Sequence, residues 1–277
     1  MNTTEDKMNA TSAGRPRGRK PRHGEPVIDR ALRVLSAFEN GGGPLSIAQL
    51  SVRCALPRAT ALRLVRRLAD WGALEKTGDG GYVIGLRLLE IASLSPRGHG
   101  LRAAALPFME DLHHATGQHV LLAVRDEQEA VLVERLSAHS AGKVLFRVGG
   151  RVPLHATGVG LVLLAHGPRE LQETILAGDL TLPQERTDLS PGELRQAIAR
   201  VRREGVAVAS LRLPEPMSSV AAPIHGPGQT VIAALSVVAP TASLQPATLA
   251  PAVIAVARAV SRAVRQSTSV SSSSTGL

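Results

Sequence analysis

The sequence is poor in cysteine, in aromatic residues and in long apolar runs, and each shortage excludes a class of protein. The one cysteine, Cys54, excludes an intrachain disulfide and a zinc cluster built from thiolates, and it fits a reducing compartment. Aromatic residues make up only 2% of the chain, so a core must be built from Leu, Val, Ala and Ile. No apolar run approaches the roughly 18–20 residues that span a bilayer, and the N-terminus lacks the apolar segment of a signal peptide. We therefore expect a soluble, cytoplasmic protein without a membrane partner.

Aliphatic residues and positive charge are what the chain has in abundance. Its 277 residues are 44% hydrophobic, which is enough to form a core, and the length predicts about two domains. The formal net charge is +9, which favours an anionic partner without identifying it. Residues 1–95 hold 15 Lys and Arg against 9 Asp and Glu, whereas residues 96–277 hold 17 against 14. The shorter N-terminal part therefore carries most of the excess.

Changes in pattern along the chain predict five segments. The polar ends, 1–25 and 266–277, lack an apolar period and predict a disordered basic arm and a disordered tail. Residues 26–95 contain short helical patterns with basic residues, and residues 117–265 alternate between strand and helix patterns. Residues 96–116 predict a linker helix between these two domains. The predicted fold class is therefore a two-domain α/β (α+β) protein.

The order of elements in residues 26–95 is that of a winged helix-turn-helix. An apolar stripe over 28–38 predicts a first helix. The sequence Ser46-Ile47-Ala48-Gln49 has the form of a capping box and predicts the start of a second helix. After a short connection, Pro57 to Trp71 predicts a third helix with Pro57 in its first turn. Two short strands around a Gly/Asp turn at 78–81 predict the hairpin that forms the wing.

The third helix is the candidate for reading DNA, because a helix fits the major groove and its first turns reach base edges. Taken alone, the same residues would also suit a solvated basic helix in an ordinary domain. The capping box, the short connection and the following hairpin favour the DNA-binding interpretation. The candidate DNA-contacting residues in this region are Ser46, Arg58, Ala59, Thr60, Arg63, Arg66, Arg67 and, in the wing, Lys76.

The basic stretch in the N-terminal arm is a second candidate for DNA binding. Arg17-Gly18-Arg19 resembles the core of an AT-hook, in which glycine lets the backbone approach the floor of an A·T-rich minor groove. Lys20 stands where proline usually follows that core. The alternative is a generic basic arm that raises affinity for any DNA, and the sequence leaves the two interpretations open.

Residues 117–265 offer little for catalysis. They contain no nucleophile elbow, no H-E-x-x-H zinc motif and no complete phosphate-binding loop, so we expect no catalytic residue, no metal and no cofactor. The loop 151–160 leads into an apolar helix, and small residues at a helix N-terminus expose amides to an anion. This loop is therefore a candidate ligand pocket. The alternative is an α/β domain whose glycines only make turns.

Four segments taken together resemble the IclR family of transcriptional regulators. In the first domain they are VIDRALRVLSAF and the stretch from LSIAQLSVRCALPRATALRLVRR to GYVIGLRLLEIA; in the second they are GGRVPLHATGVG and SSVAAPIHGPGQTVIAALSVVAP. The resemblance implies a GAF-like effector-binding domain after the winged helix, and a homodimer or homotetramer on palindromic double-stranded operators. It also implies a small organic acid or aromatic metabolite as effector. It assigns Gly158, Val159, Ser219 and Ser236 to effector binding, and Leu154 of the preceding loop completes the candidate set.

Departures from the family pattern bear on the effector and on the operator. Leu161 stands where members often have lysine, and Ala209 and Ser210 fall near a position that is acidic in members that bind keto acids. These differences favour a less polar or differently shaped effector. Leu62 replaces a commonly polar or aromatic residue of the recognition helix, so we expect a different operator.

Three further interpretations remain open at the level of the sequence. We expect a repressor, but the family resemblance also allows an activator. A nucleoid-associated protein that uses the basic arm without a specific site is another alternative, and it would show little preference for a palindrome. A metabolic enzyme with a fortuitous helix-turn-helix is disfavoured, because residues 117–265 contain none of the catalytic motifs named above.

Overall fold

A computed structural model describes residues 25–39, 43–137, 146–181, 190–211 and 215–273. They form two units that divide between Leu88 and Leu89. The first contains the expected winged helix-turn-helix and the second the expected sheet with helices, which confirms the predicted fold class. Arg17 and Arg19 lie outside the described residues, so the minor-groove arm stays a prediction.

The N-terminal unit is a small three-helix core closed by a hairpin. Apolar side chains from its helices and from the hairpin bury one another, with Val34, Leu50 and Val65 fully inside. A short antiparallel bridge joins Leu45 to Tyr82 of the hairpin. The amide of each residue donates to the carbonyl of the other at 2.9 Å. Its elements are α1 (Val27–Ser36), α2 (Ile47–Arg53), α3 (Arg58–Trp71), β1 (Leu74–Lys76) and β2 (Tyr82–Ile84), with α4 (Leu86–Ala92) at the boundary of the unit.

The turn between α2 and α3 is fixed by local hydrogen bonds and one unusual backbone angle. Ala55 has a φ of +50°, which residues other than glycine rarely adopt. The hydroxyl of Ser51 donates to the carbonyl of Leu56 at 2.6 Å, and the guanidinium of Arg33 in α1 donates to the carbonyl of Cys54 at 2.9 Å. Pro57 is the N-cap residue of α3 rather than part of its first turn, so the helix begins one residue later than expected.

The second unit is built on a six-stranded antiparallel sheet with the strand order β5-β4-β3-β8-β7-β6. Helix α6, backed by α7 and α8, covers one face, and helices α5 and α9 cover the other. The strands are β3 (His119–Asp126), β4 (Glu129–Leu136), β5 (Arg151–Pro153), β6 (Ala207–Leu211), β7 (Met217–His225) and β8 (Val231–Pro240). The helices are α5 (Leu101–Thr116), α6 (Gly158–Ala165), α7 (Arg169–Ala177), α8 (Pro191–Glu204) and α9 (Pro246–Ser273).

Alternate side chains of the central strands pack into two apolar cores, one on each face of the sheet. In β8, Ala234 and Val238 belong to the core under α6, whereas Leu235 and Val237 belong to the core under α5 and α9. This is the period of two that strands impose. Both faces of β7 and β8 are buried, which accounts for their nearly continuous apolar sequence.

The segment expected to link the domains packs into the second unit. Leu101, Ala105 and Met109 of α5 are buried beneath the sheet. Arg102 of the same helix forms an ion pair with Glu134, a carboxylate that is only 9% exposed. A π-helical turn over Pro96–Gly100 precedes α5. The helix therefore begins at Leu101, later than the expected start at 96.

Helix α9 differs from expectation in two ways. It runs to Ser273, so residues 266–273 are helical where a disordered tail was expected. Serine hydroxyls can bond back to the preceding turn, and the hydroxyl of Ser267 donates to the carbonyl of Ala263 at 3.0 Å. Its segment Pro246–Ser267 also has the length and apolar composition that could cross a membrane, contrary to the expectation of no such stretch. In this fold it lies against the sheet through Val253, Ala257 and Val260, which are buried.

Candidate DNA-binding surface and effector site

The third helix turns its arginines away from the core. Ala61, Leu64 and Val65 are buried against the rest of the unit. The opposite side carries Arg63 and Arg66, which are exposed and one turn apart. The surface that we call the α3 face forms an open groove lined by Ala59, Leu62, Arg63, Arg66, Arg67 and Asp70.

The other predicted DNA-contacting residues lie in the first turn of α3, at the N-cap of α2 and in the hairpin. Arg58 and Ala59 are exposed in the first turn of α3, and Thr60 is half-buried beside them. Ser46 caps α2: its hydroxyl accepts from the amide of Gln49 at 3.3 Å, and the capping box is complete. Its hydroxyl is thus already engaged in holding the first helix of the motif, and Ser46 has a structural task in addition to any contact with DNA.

The charge on the α3 face is largely uncompensated. Within the described part of the chain, Arg58, Arg63, Arg66 and Arg67 take part in no ion pair. Asp70 is the one carboxylate in the groove. A row of exposed guanidinium groups on one side of a helix is suited to phosphate and base contacts.

The hairpin presents Lys76 to solvent beside a tightly held turn. Asp79 accepts hydrogen bonds from the hydroxyl of Thr77 and from the amide of Gly81, and these two contacts hold the pKa of its carboxyl below the ordinary value. Gly80 in the same turn has a φ of +83°, which glycine adopts readily. The turn joins β1 to β2, where Lys76 lies in register with Tyr82.

The candidate effector site is built around the start of α6. Thr157 is the N-cap: its buried hydroxyl accepts from the amide of Gly160 at 3.1 Å. The first amides of a helix, here those of Gly158 and Val159, have no intrahelical acceptor. A β-carbon at Gly158 would lie 2.6 Å from the hydroxyl oxygen of Ser219, so the helix start rests directly on β7.

The structure brings the five predicted effector residues to one layer of the fold, between α6 and the sheet. Leu154, Val159 and Gly158 come from the loop and from the first turn of α6, and all three are buried. Ser219 lies beneath them on β7, and Ser236 lies on β8 opposite Ala221. The hydroxyl of Ser236 is buried and has no hydrogen-bond partner among the described residues. A buried hydroxyl without a partner is costly, and a bound ligand would supply one.

Two histidines near this layer were not singled out from the sequence. His119 is 3% exposed and lies on the α6 side of β3, in register with Val238. The alternation of β3 could have shown it, because His119 shares its face with Leu121 and Ala123. His155 follows Leu154; burial lowers the pKa of its imidazole, while a hydrogen bond to the backbone of Leu180 and the charge of Asp179 act in the opposite direction.

Comparisons with known proteins agree with this architecture in both units. The helix-turn-helix domain of the IclR family matches residues 27–78. The C-terminal domain of the bacterial transcriptional regulator IclR matches residues 95–264. The two matches together cover most of the described chain.

Individual relatives are regulators. The chain is 30% identical to the HTH-type transcriptional regulator XynR of Escherichia coli (strain K12), over 80% of this chain and 89% of the relative. It is 28% identical to the HTH-type transcriptional repressor AllR of the same strain, over 83% and 87%. An IclR homolog from Microbacterium hydrocarbonoxydans, solved in complex with 4-hydroxybenzoate, is 33% identical with a TM-score of 0.81, and the match covers 86% of this chain and 99% of that one. The chain therefore belongs to the IclR family of transcriptional regulators.

Proposed function

We propose that residues 26–95 bind a specific palindromic operator by placing α3 in the major groove. The observation that supports this most directly is the α3 face, where exposed arginines lie opposite a buried apolar stripe. Arg58, Ala59 and Thr60 lie in the first turn, where side chains reach base edges. Arg63 would read a base, because arginine can pair with guanine through two hydrogen bonds. Arg66, Arg67, Ser46 and, on the wing, Lys76 would contact phosphates.

The test is the affinity for a duplex recovered from a random pool by selection with the full chain. Arg63→Ala should weaken binding to the selected duplex by about 1–3 kcal/mol and relax the preference at one base position. The matched control is Arg195→Ala, which removes an exposed arginine from α8 in the second unit. Equal losses in the two variants would show that only general charge matters and would contradict the proposal.

The effector that we propose is an aromatic carboxylate bound at the start of α6 within residues 117–265. The amides of Gly158 and Val159 would meet the carboxylate, Leu154 would contact the ring, and Ser219 and Ser236 would supply hydroxyls. Support comes from the buried hydroxyl of Ser236, which has no hydrogen-bond partner in the described part. The relative from Microbacterium hydrocarbonoxydans, solved with 4-hydroxybenzoate, supports the chemical class.

Titration with 4-hydroxybenzoate and with a panel of aliphatic and aromatic acids tests this assignment. A true effector should change the affinity for the selected duplex, because a ligand shifts an equilibrium only through differential binding to two states. Ser236→Ala should weaken the response to that acid about tenfold, as the loss of a buried hydrogen bond predicts, without changing the DNA affinity of the ligand-free protein. A panel in which no acid changes DNA affinity would contradict ligand control by this class.

We propose that the chain forms a homodimer through the exposed apolar side of α1, and that two such dimers can associate into a homotetramer. Val27, Ile28 and Leu32 are 58%, 63% and 53% exposed, and apolar side chains on one helix favour burial against a second copy. A two-fold dimer would set its recognition helices about 34 Å apart or a multiple of that spacing, which is what a palindrome requires. Sedimentation of Ile28→Lys against Val52→Lys, a control on exposed Val52 of α2, tests this. Dissociation of the first variant alone is expected.

We propose repression as the sign of regulation, without a catalytic step, and action on DNA in the cytoplasm. The name of the repressor AllR among the relatives supports this sign. A reporter under the control of the selected operator should be silenced by the chain and released by the effector. Stimulation of the reporter would instead indicate an activator.

A further inference from the structure

One end of the second unit gathers basic side chains from several elements. β7 ends at His225, and His166 follows the last residue of α6; their imidazole rings have centroids 6.4 Å apart at an angle of 83°. The backbone amide of His225 donates to the hydroxyl of Ser261 on α9 at 2.8 Å. The ends of α6 and β7 and the middle of α9 therefore meet at this point.

Helix α9 adds two arginines to the same place. Arg258 and Arg265 stand three residues before and four residues after Ser261, so they lie on its side of the helix, one turn away in each direction. Neither has an ion pair within the described ranges. The sequence of α9 from Pro246 to Ser273 contains no Asp or Glu. No carboxylate on this helix can balance the two guanidinium groups.

The charged groups around His225 come from α6, α8 and α9. Burial first, then the charges of His166, Arg265 and Arg258, hold the pKa of the His225 imidazole below its ordinary value. From α8, the guanidinium of Arg202 adds a further cation at this end of α6, where it donates to the carbonyl of Ala165 at 2.6 Å. The groups that act on His225 are therefore all basic.

A second histidine pair in the same unit provides a contrast. His113 and His114 of α5 have ring centroids 6.2 Å apart at 78°, nearly the same geometry. Glu110 and Asp111 precede them by one turn of the same helix, so two carboxylates accompany this pair. Ring geometry alone does not distinguish the two pairs, and the excess of positive charge is specific to the pair at His225.

We propose that His166, His225, Arg258 and Arg265, the His–Arg cluster, form a second small-molecule site that binds a compact dianion of the sulfate or phosphate type. Guanidinium groups bind such oxyanions through paired hydrogen bonds, and protonated imidazoles add donors and charge. Since α6 has eight residues, the site lies about 12 Å along the helix from its N-terminus. It is therefore separate from the effector site.

Calorimetric titration of the full chain with inorganic sulfate tests the site, because sulfate keeps its two charges across the pH range of the experiment. We expect saturable binding of one sulfate per chain, tighter at pH 5.5 than at pH 7.5. Arg258→Ala with Arg265→Ala should weaken it at least about tenfold. His225→Gln should reduce the pH dependence. An arm with inorganic phosphate and an arm with phenyl phosphate at pH 7.5 distinguish a free anion from a phosphate ester.

Two control pairs decide the outcome. Arg195→Ala with Arg200→Ala removes the same charge from the exposed side of α8, and His113→Gln with His114→Gln removes the histidine pair of α5. Both controls should bind sulfate within about twofold of the parent. The proposal is overturned if sulfate binding does not saturate, or if either control loses as much affinity as the cluster variants. It is also overturned if the cluster variants weaken the binding of duplex DNA while sulfate does not compete with the duplex.

Discussion

Replacing Gly158 and Ser219 by alanine, singly and together, tests how closely the start of α6 rests on β7. A β-carbon at Gly158 would lie 2.6 Å from the hydroxyl oxygen of Ser219, 3.2 Å from the β-carbon of Ala221 and 3.4 Å from that of Ser219. The first distance is a clash, while the others are close to ordinary contact. Removing the hydroxyl therefore removes the worst of the overlap.

The expected energies follow from these distances. Gly158→Ala should destabilise the second unit by about 1–3 kcal/mol, the usual cost of overpacking a filled core. Ser219→Ala should cost about 0.5–1 kcal/mol, since it loses a hydrogen bond to the carbonyl of Ala209 that is already long at 3.4 Å. The double variant should lose about 1 kcal/mol less stability than the sum of the two single losses, because the substitutions share one clash.

The aromatic residues of the chain make the assay selective. The one tryptophan and the one tyrosine are Trp71 and Tyr82, both in the N-terminal unit. Fluorescence in a guanidinium titration therefore follows that unit, whereas far-ultraviolet circular dichroism follows both. The predicted losses should appear in the dichroism transition and leave the fluorescence transition in place.

A matched control separates packing from the general effect of replacing a glycine. Gly192 also lies in the first turn of a helix, α8, but its nearest neighbour to an added β-carbon is 3.9 Å away. Gly192→Ala should be neutral or slightly stabilising. Simple additivity of Gly158→Ala and Ser219→Ala, within about 0.3–0.5 kcal/mol, would refute the contact between α6 and β7.

Three further predictions concern other parts of the fold. Ala55→Gly should stabilise the N-terminal unit by about 0.5–1 kcal/mol, because it relieves a positive φ, whereas Ala48→Gly inside α2 should destabilise it by a similar amount; a loss of stability in Ala55→Gly, followed by fluorescence, would contradict this. Arg102→Met should destabilise the second unit by about 1–3 kcal/mol, because it leaves the buried Glu134 carboxylate without its cation. An unchanged midpoint of the unfolding transition followed by circular dichroism would show that the ion pair contributes nothing to stability. The lowered pKa of His225 means that the folded state binds fewer protons than the unfolded state, so the free energy of unfolding should fall as the pH drops below about 6.5. In sulfate-free buffer the free energy of unfolding of His225→Gln should fall less steeply with pH than that of the parent. Equal slopes in the two proteins would refute the role of this group.

Local patterns predicted the N-terminal unit well because its signals are short in sequence. The capping box at Ser46 joins residues three apart, and the stripe of α3 repeats every turn, so neither depends on the rest of the chain. The one-residue error at Pro57 reflects the two positions, N-cap and first turn, that proline tolerates at a helix start.

The members of the candidate effector site were assigned from the family resemblance, and their mutual contacts could not be predicted from the sequence. The family resemblance pointed to Gly158 and Ser219, but the distance between them depends on strand register across more than sixty residues. His119 was missed although its period-two spacing from Leu121 and Ala123 places the three on one face of β3. The His–Arg cluster joins α6, β7 and α9, and no local pattern in the sequence connects them.

The affinity of the unmodified chain for a selected palindrome, measured against a shuffled duplex of the same length at one salt concentration, tests DNA recognition most directly. Specific regulators prefer their sites by about 10³-fold or more, and we predict a preference of that order, lost when Arg58, Arg63 and Arg67 are replaced together by alanine. Equal affinity for the palindrome and the shuffled duplex, or a preference that survives those three substitutions, would contradict the assignment of α3 as the element that reads DNA.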